Sequence, residues 1–417
     1  MAAGHRRRGL KLTVALAAFL VLGVPARAAA QYKVLYTLPY PDLGVIGSVT
    51  VDAEGNVYGA TGNGGGGTGC QDQYGCGLIF ELTPHSGGKW SFATVHDFTG
   101  GSDGAFPNGN LVVDASGNLW GACDGGGAQK VGTVFELTPG AGGWSETVLY
   151  NFCNRQGCPS GPQSGVTRDQ SGNLYGTADE VAFELSPTSG HWKETALHKF
   201  CAKGPPCNDG TDPYAGLILD AAGNLYGTTG YGGTGCGGDG CGTVYELSPE
   251  AGGKWKETIL HRFDDSNQGA YDPGAGALFM DSSGSLFGTT ELGGKAGWGT
   301  VFRLTQSGDG PWKEAILYSF GNGPGGGFPD AGVIMDKAGN LYGTTDEGGG
   351  PNGCGVMYKL SPAAKGKWKY SVLHTFGRVG DGCLPSGNLA IDSNGNLYGG
   401  TIFGGTSGNG VVFELTP

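Results

Sequence analysis

The chain has 417 residues, with 37 acidic against 25 basic side chains and a formal net charge of −12. Nucleic acid and anionic membrane surfaces meet no complementary field on such a protein and are not expected as partners. Its 87 glycines and 21 prolines would signal disorder in an aperiodic sequence; here they recur at fixed turn positions between apolar, aromatic-rich runs, which predicts an ordered all-β repeat fold.

The N-terminus carries a basic stretch, His5-Arg-Arg-Arg8 with Lys11, then the apolar run Leu12–Val24 and small-x-small sites at Ala26-Arg-Ala28 and Ala28-Ala-Ala30. That order reads as a secretory signal peptide over residues 1–30. The apolar run is thirteen residues long, short of the roughly 20 a membrane span needs. Removing it takes away five basic and no acidic residues and leaves a net charge near −17. A secreted protein, periplasmic or extracellular, monomeric and without a membrane span, is expected.

From Asp52 onward one motif, Asp-x-x-Gly-(Asn/Ser)-hydrophobic-aromatic-Gly, occurs seven times. It begins at Asp52, Asp114, Asp169, Asp220, Asp281, Asp336 and Asp392, at intervals of 51 to 62 residues. In the fourth unit, Gly216–Asp220 reads as strand A, Asp220–Asn224 as a tight turn and Leu225–Thr229 as strand B. A glycine-rich loop, Gly230–Cys241, follows. Gly242–Leu247 is strand C, Ser248–Gly253 a second turn, and Trp255–Phe263 strand D. Seven units of four short strands predict a seven-bladed β-propeller of four-stranded antiparallel blades, one domain over residues 31–417. The seventh unit stops after strand C, at Val411–Leu415, while Tyr32–Leu38 near the N-terminus has the pattern of a strand D. The N-terminal strand is therefore expected to pair into the last blade and close the ring without an unpaired edge.

The repeat resembles the GloVer tandem repeat of bacterial secreted proteins described as choice-of-anchor proteins. The resemblance is carried by Gly-Asn-Leu-Tyr-Gly-Thr-Thr at 223–229 and 339–345, Gly-Thr-Val-Phe-Glu-Leu-Thr-Pro at 132–139 and Trp-Lys-Glu-Thr at 255–258. It covers residues 32–417 and implies a secreted repeat protein without a settled activity. Such proteins commonly end in a sorting or anchoring segment; the residues after Val411 offer none, which weakens the case for surface attachment.

Eleven cysteines in an exported chain point to disulfides. Four local pairs, Cys70/Cys76, Cys153/Cys158, Cys201/Cys207 and Cys236/Cys241, fall in B–C or D–A loops, and Cys354 and Cys383 pair if their loops meet. Cys123 is left over. Zinc fits poorly, because the spacings are Cys-x4-Cys and Cys-x5-Cys with no adjacent His.

In a propeller the A–B and C–D turns share one face and the B–C and D–A loops the other. Here the turns are uniform, whereas the loops vary and hold the paired cysteines, so the loop face and its central depression are the expected site. His96, His198, His261 and His374 repeat at one strand-D position and read as structural; no Gly-x-Ser-x-Gly or His-Glu-x-x-His motif occurs. The candidate ligand-binding residues are Tyr231, Trp298, Tyr271 and Phe403, whose flat faces suit sugars, with Asp346 and Glu347 as hydrogen-bonding or acid–base carboxylates. Arg168, in strand A of the third unit where other units have Val, Leu, Met or Ile, is expected to reach the channel. The third unit also lacks a B–C loop. No cofactor is expected, and Ca²⁺ is compatible with paired carboxylates. The sequence points to a non-catalytic glycan-binding protein, with an extracellular protein as the other partner class. A polysaccharide lyase or glycoside hydrolase with its site in the same depression is the alternative.

Overall fold

Each residue type in the repeated motif has a bond to make. Asp220 Oδ1 accepts the backbone N–H groups of Ala222 and Asn224 at 2.8 and 2.9 Å. Its Oδ2 accepts Asn224 Nδ2 at 2.9 Å and the Tyr226 hydroxyl at 3.1 Å. Gly223 takes φ 89° within that turn, a conformation costly for any residue with a Cβ. The same turn recurs at the other six aspartates, for example Asp336 with Ala338, Asn340 and Tyr342.

The computed structural model describes residues 30–417 apart from 40–43, 46, 71–73, 154–158, 160, 266–268, 274–275 and 309. Residues 1–29 of the expected signal peptide (1–30) and Cys158 therefore lie outside the described residues. The chain forms seven four-stranded antiparallel sheets, the expected seven-bladed propeller. In the fourth blade strand A is Ile218–Leu219, B Leu225–Thr229, C Thr243–Glu250 and D Lys254–Arg262.

The first five residues of strand B are buried in every blade, because neighbouring blades cover both faces of the sheet. Between blades 3 and 4, for instance, Tyr175, Ala182, Leu197 and Phe200 pack against Leu217, Leu225, Tyr245 and Leu247. Each such large apolar side chain contributes roughly 1.5–3 kcal/mol. The glycine at the centre of strand B makes room for the strand-C aromatic beside it. A Cβ on Gly59 would lie 2.4 Å from the Phe80 ring, and one on Gly399 2.5 Å from Phe413.

Closure is as expected. Residues Gln31–Thr37 pair antiparallel with Val411–Thr416, placing Tyr32 opposite Leu415 and Val34 opposite Phe413, and the Leu38 N–H donates to the Gly410 carbonyl at 3.1 Å. Two boundaries differ from the sequence expectation. Strands C and D run through the residues assigned to the second turn, so Pro249 stands opposite Trp255. Proline is tolerated there because strand B ends opposite Leu247, leaving that side of strand C without a hydrogen-bonding neighbour. Strand A is shorter than expected in five blades, only two paired residues, and longer in blades 2 and 7, over Ala105–Val113 and Gly382–Ile391.

Candidate functional site

The loop face is built from one device that recurs at five of the connections from strand D to the next strand A, at the start of strand A itself in blades 2 and 7. A residue immediately before a proline is left-handed: Phe106 at φ 56°, Asp212 and Asp272 at 57°, Phe328 at 53° and Leu384 at 55°. Such a conformation costs a non-glycine residue about 1–2 kcal/mol, so something must hold it. Its N–H donates to a carbonyl two residues before strand C: Phe106 to Cys76 (2.8 Å), Asp272 to Cys241 (3.1 Å), Phe328 to Trp298 (2.9 Å) and Leu384 to Cys354 (3.2 Å). The third blade has no B–C loop, since Leu174–Ala178 turns through Asp179 and Glu180 straight into Val181–Thr188. There the Glu180 carboxylate stands in for the missing carbonyl. It accepts the Asp212 N–H at 3.3 Å and the Thr211 hydroxyl at 2.7 Å.

The residues just after these prolines line the axial cavity, among them Asn108, Gln163, Tyr214, Asp330 and Ser386. They differ from blade to blade, unlike almost every scaffold position. The cavity holds about 190 Å³, below the roughly 300–1,000 Å³ of small-molecule sites. A ligand of any size must therefore lie across the rim.

On that rim, blades 3 to 6 carry an arc of carboxylates. The Glu291 N–H donates to the carbonyl of Asp272, and that of Asp346 to Phe328, which sets each carboxylate beside the D–A loop that enters its own blade. Burial, then Asp330 and Asp212, push Asp272 up to about 6. Burial, then Asp330, Glu291 and Glu347, push Asp346 up to about 8, and burial with Asp272 and Asp330 raises Glu291. Every charged neighbour acting on these three is another carboxylate. Two exposed rings flank the arc at blade 4, Tyr214 at 38% and Tyr231 at 43% exposure. Burial and Asp212 bring the Tyr214 hydroxyl to about 12, and Asp272 raises that of Tyr231.

The expected site residues divide accordingly. Tyr231 lines a cleft of about 450 Å³ with Thr211, Asp212 and Asp239. Trp298 and Glu347 share a second cleft of about 490 Å³ between blades 5 and 6, with the Trp298 ring 4.5 Å from Phe328. Asp346 sits half-buried beside Glu347. Tyr271 is half-buried, paired opposite Leu292. Phe403 is 49% exposed but belongs to blade 7, away from the arc. Arg168 is not with them: its guanidinium lies 5.0 Å over the Trp120 ring, near the A–B turn glycine Gly172, at the opposite end of the strands. Lys359, which with Arg303 replaces the strand-C glutamate of the other five units, lies 5.0 Å over the Tyr342 ring of its own blade. The four strand-D histidines each face a carboxylate on the outer rim. The arc residues Asp212, Asp272 and Asp330 and the amides of the cavity were missed in the sequence. Aligning the units on the D–A proline exposes them, because the positions on either side of it vary between units.

Four disulfides, Cys70–Cys76, Cys201–Cys207, Cys236–Cys241 and Cys354–Cys383, are as expected. Cys153 is also disulfide-bonded, and Cys123 is a buried thiol. Among the described residues the one group within metal-ligand reach is Cys236, Cys241 and Asp265. Those two sulfurs are bonded to each other and offer no thiolate. No described helix is long and apolar enough to cross a membrane.

The fold and this division define a tandem-repeat β-propeller, with an invariant scaffold and a varied loop face. The chain belongs to the Gloeobacter/Verrucomicrobia repeat family, whose model matches residues 25–239 and 234–417. No curated protein sequence matches it significantly. Among solved structures it is similar to a catalytically inactive variant of virginiamycin B lyase from Staphylococcus aureus with quinupristin, at TM-score 0.56 and 14% identity over 93% of this chain and 99% of that one. It is also similar to the extracellular domain of the putative one-component system BT4673 from B. thetaiotaomicron, at TM-score 0.52 and 13% identity over 92% and 39%. PorZ of Porphyromonas gingivalis aligns at TM-score 0.51 and 14% identity over 92% and 47%. At these identities the likeness is one of fold.

Proposed function

We propose that this is a secreted, non-catalytic binding protein that takes a glycan across the loop face over blades 3 to 6. The observation that carries the reading is a coincidence of place. The carboxylate arc, the exposed Tyr214 and Tyr231 and the Trp298–Glu347 cleft all fall in the same four blades, where the repeat is broken. Flat rings stack on sugar faces, and carboxyls both accept from and, when protonated, donate to hydroxyls. With carboxylates as its charged groups, the arc favours neutral or amine-bearing sugars over sulfated or uronic ones.

One observation favours an enzyme instead. Asp346, pushed up to about 8 beside Glu291 and Glu347, has the protonation of a general acid with a second carboxyl near it, the residue types of polysaccharide hydrolysis. A single experiment separates the two: incubate the oxidised protein with a panel of polysaccharides, with and without Ca²⁺, then measure retained protein and released fragments by mass spectrometry. The binding reading expects retention on a neutral or amino-sugar polymer without fragments, reduced at least tenfold by Tyr231→Ala or Trp298→Ala. Unsaturated or hydrolysed fragments, lost in Asp346→Asn, would replace it with a lyase or hydrolase. Retention on none of the panel overturns both.

A further inference from the structure

Strand D of each blade meets strand D of the next around the outer rim, and two positions four residues apart make the contact. Through blades 5, 6, 7 and back to 1 the contact is a ring stack. Tyr318 lies on Tyr370 at 4.0 Å, His374 on Tyr32 at 3.7 Å and Tyr36 on Phe92 at 4.4 Å, all within 11° of parallel. From blade 1 to blade 5 the second ring is replaced by glutamate: Glu146, Glu194, Glu257 and Glu314. Glu146 lies 3.8 Å from His96, and Glu314 3.7 Å from His261. Glu257 lines one cleft with His198 and its partner Asp209, and Glu194 faces the Tyr150 hydroxyl.

All four carboxyls bury an Oε1 that has no hydrogen-bond partner among the described residues. An ionised carboxylate so placed loses hydration without replacement, at a far greater cost than a protonated one. The surroundings lean the same way. Glu146 faces His96, Asp103 and the Cys123 thiol; Glu257 faces Asp209, the Tyr245 hydroxyl and a single cation, Arg262; Glu314 faces His261 and Asp264. Burial and then these aspartates push Glu146 up to about 8 and Glu257 and Glu314 up to about 7, and burial raises Glu194. Burial lowers His96, His198 and His261 in spite of neighbouring aspartates, so the imidazoles do not supply a compensating charge.

We infer that the four glutamates form a proton-held seam: each carboxyl keeps its proton in mildly acidic surroundings, and giving it up as the surroundings turn alkaline loosens blades 1 to 5 along their outer edge while the stacked arc stays closed. The sign follows from linkage. A carboxyl raised in the folded state binds a proton that the unfolded chain has released, so stability falls as pH rises from about 4.5 towards 8. The lowered histidines act the opposite way, and only below about 6.5. Between about pH 4.5 and its own folded pKa, each carboxyl weakens its junction by about tenfold per pH unit, and above that pKa the loss is complete.

Peptide-resolved hydrogen exchange of the full oxidised protein at pH 6 and pH 9, corrected for intrinsic rates, tests this. Protection of Lys89–Asp97, Gly143–Asn151, Lys254–Arg262 and Lys313–Ser319 is expected to fall at least tenfold more than that of Trp368–Thr375 and Gln31–Thr37. The fourfold Glu→Gln variant keeps the shape, carries no proton to lose, and should abolish the difference. Should it fail to fold, Glu146→Gln alone should abolish it only at the junction of blades 1 and 2. Equal loss in both arcs, or a difference that survives in the glutamine variants, overturns the inference. So does an infrared spectrum at pH 6.5 without a protonated-carboxyl band that the variants lose.

Discussion

The two faces of the ring use the same residue for opposite purposes. On the tight-turn face each aspartate is surrounded by donors, as Asp220 is by Ala222, Asn224 and Tyr226. On the loop face Asp272 and Asp346 are surrounded by other carboxylates. A residue that recurs in every unit with its bonds satisfied is a structural part. One that breaks the repeat and sits among like charges is held in place by the scaffold and costs stability, which is how ligand sites are commonly made. Glu180 marks the border between the two. It breaks the repeat, yet its carboxylate is committed to Thr211 and Asp212 and serves the scaffold.

The largest expected effect comes from breaking the scaffold where its ends meet. Deleting residues 31–38 removes strand D of the seventh blade and the fully buried Leu38, exposing an edge and two blade faces. Loss of a single cooperative thermal transition is expected, and even Leu38→Ala should cost about 2–5 kcal/mol. A deletion variant that melts like the parent would show that the ring does not depend on closure. Next come the loops. The Cys354–Cys383 bridge spans 29 residues and joins a B–C loop to the start of strand A in the next blade, against separations of 5 or 6 for Cys236–Cys241 and Cys70–Cys76. On chain-entropy grounds, Cys354→Ser with Cys383→Ser should cost about 3–4 kcal/mol, and removing a short bridge about 2. Chemical denaturation gives both numbers, and an equal cost would mean that strain or local packing decides.

Much of the scaffold was legible because it is written seven times. The Asp-x-x-Gly-Asn-Leu-Tyr-Gly run encodes a turn, its donors and the small strand-B residue that admits a neighbouring ring, and repetition separates those requirements from chance. The closing strand could be read because Tyr32–Leu38 lacks a blade of its own. The extent of strand C could not: Pro249 looks like a turn until it is known that strand B has already ended beside it. Of the site, the aromatic and acidic loop residues were visible as departures after strand B. Asp212, Asp272 and Asp330 were hidden because each flanks a proline and reads as turn-building. Only the left-handed residue before that proline, and the carbonyl that holds it, bring the following side chains round to the axis. Arg168 failed for a related reason. Position within strand A says that a side chain is near the axis, but not at which end its guanidinium will find Trp120.

The smallest effect is the sharpest test of the contrast between faces, because it predicts opposite signs for one substitution. In Asp220, hydrogen bonds from Asn224, Tyr226 and Ala222 outweigh burial and hold the carboxyl below its usual range. Its stabilisation is present above the unfolded pKa and lost as pH falls through the folded one. Asp220→Asn puts an amide donor against Asn224 Nδ2 and should cost about 1–3 kcal/mol at pH 7. In Asp346 the folded carboxyl is raised to about 8, so it weakens the fold progressively from about pH 4 to pH 8. Asp346→Asn removes that penalty: no change in melting temperature at pH 4, and a gain of about 1–2 kcal/mol at pH 8.5, discounted for a half-buried group. If both variants lose stability at pH 8.5, the loop-face carboxylates are scaffold after all and the arc ceases to be a site. If only the turn variant does, the ring stores at its rim a repulsion that a ligand offering hydroxyl or amine donors relieves on binding.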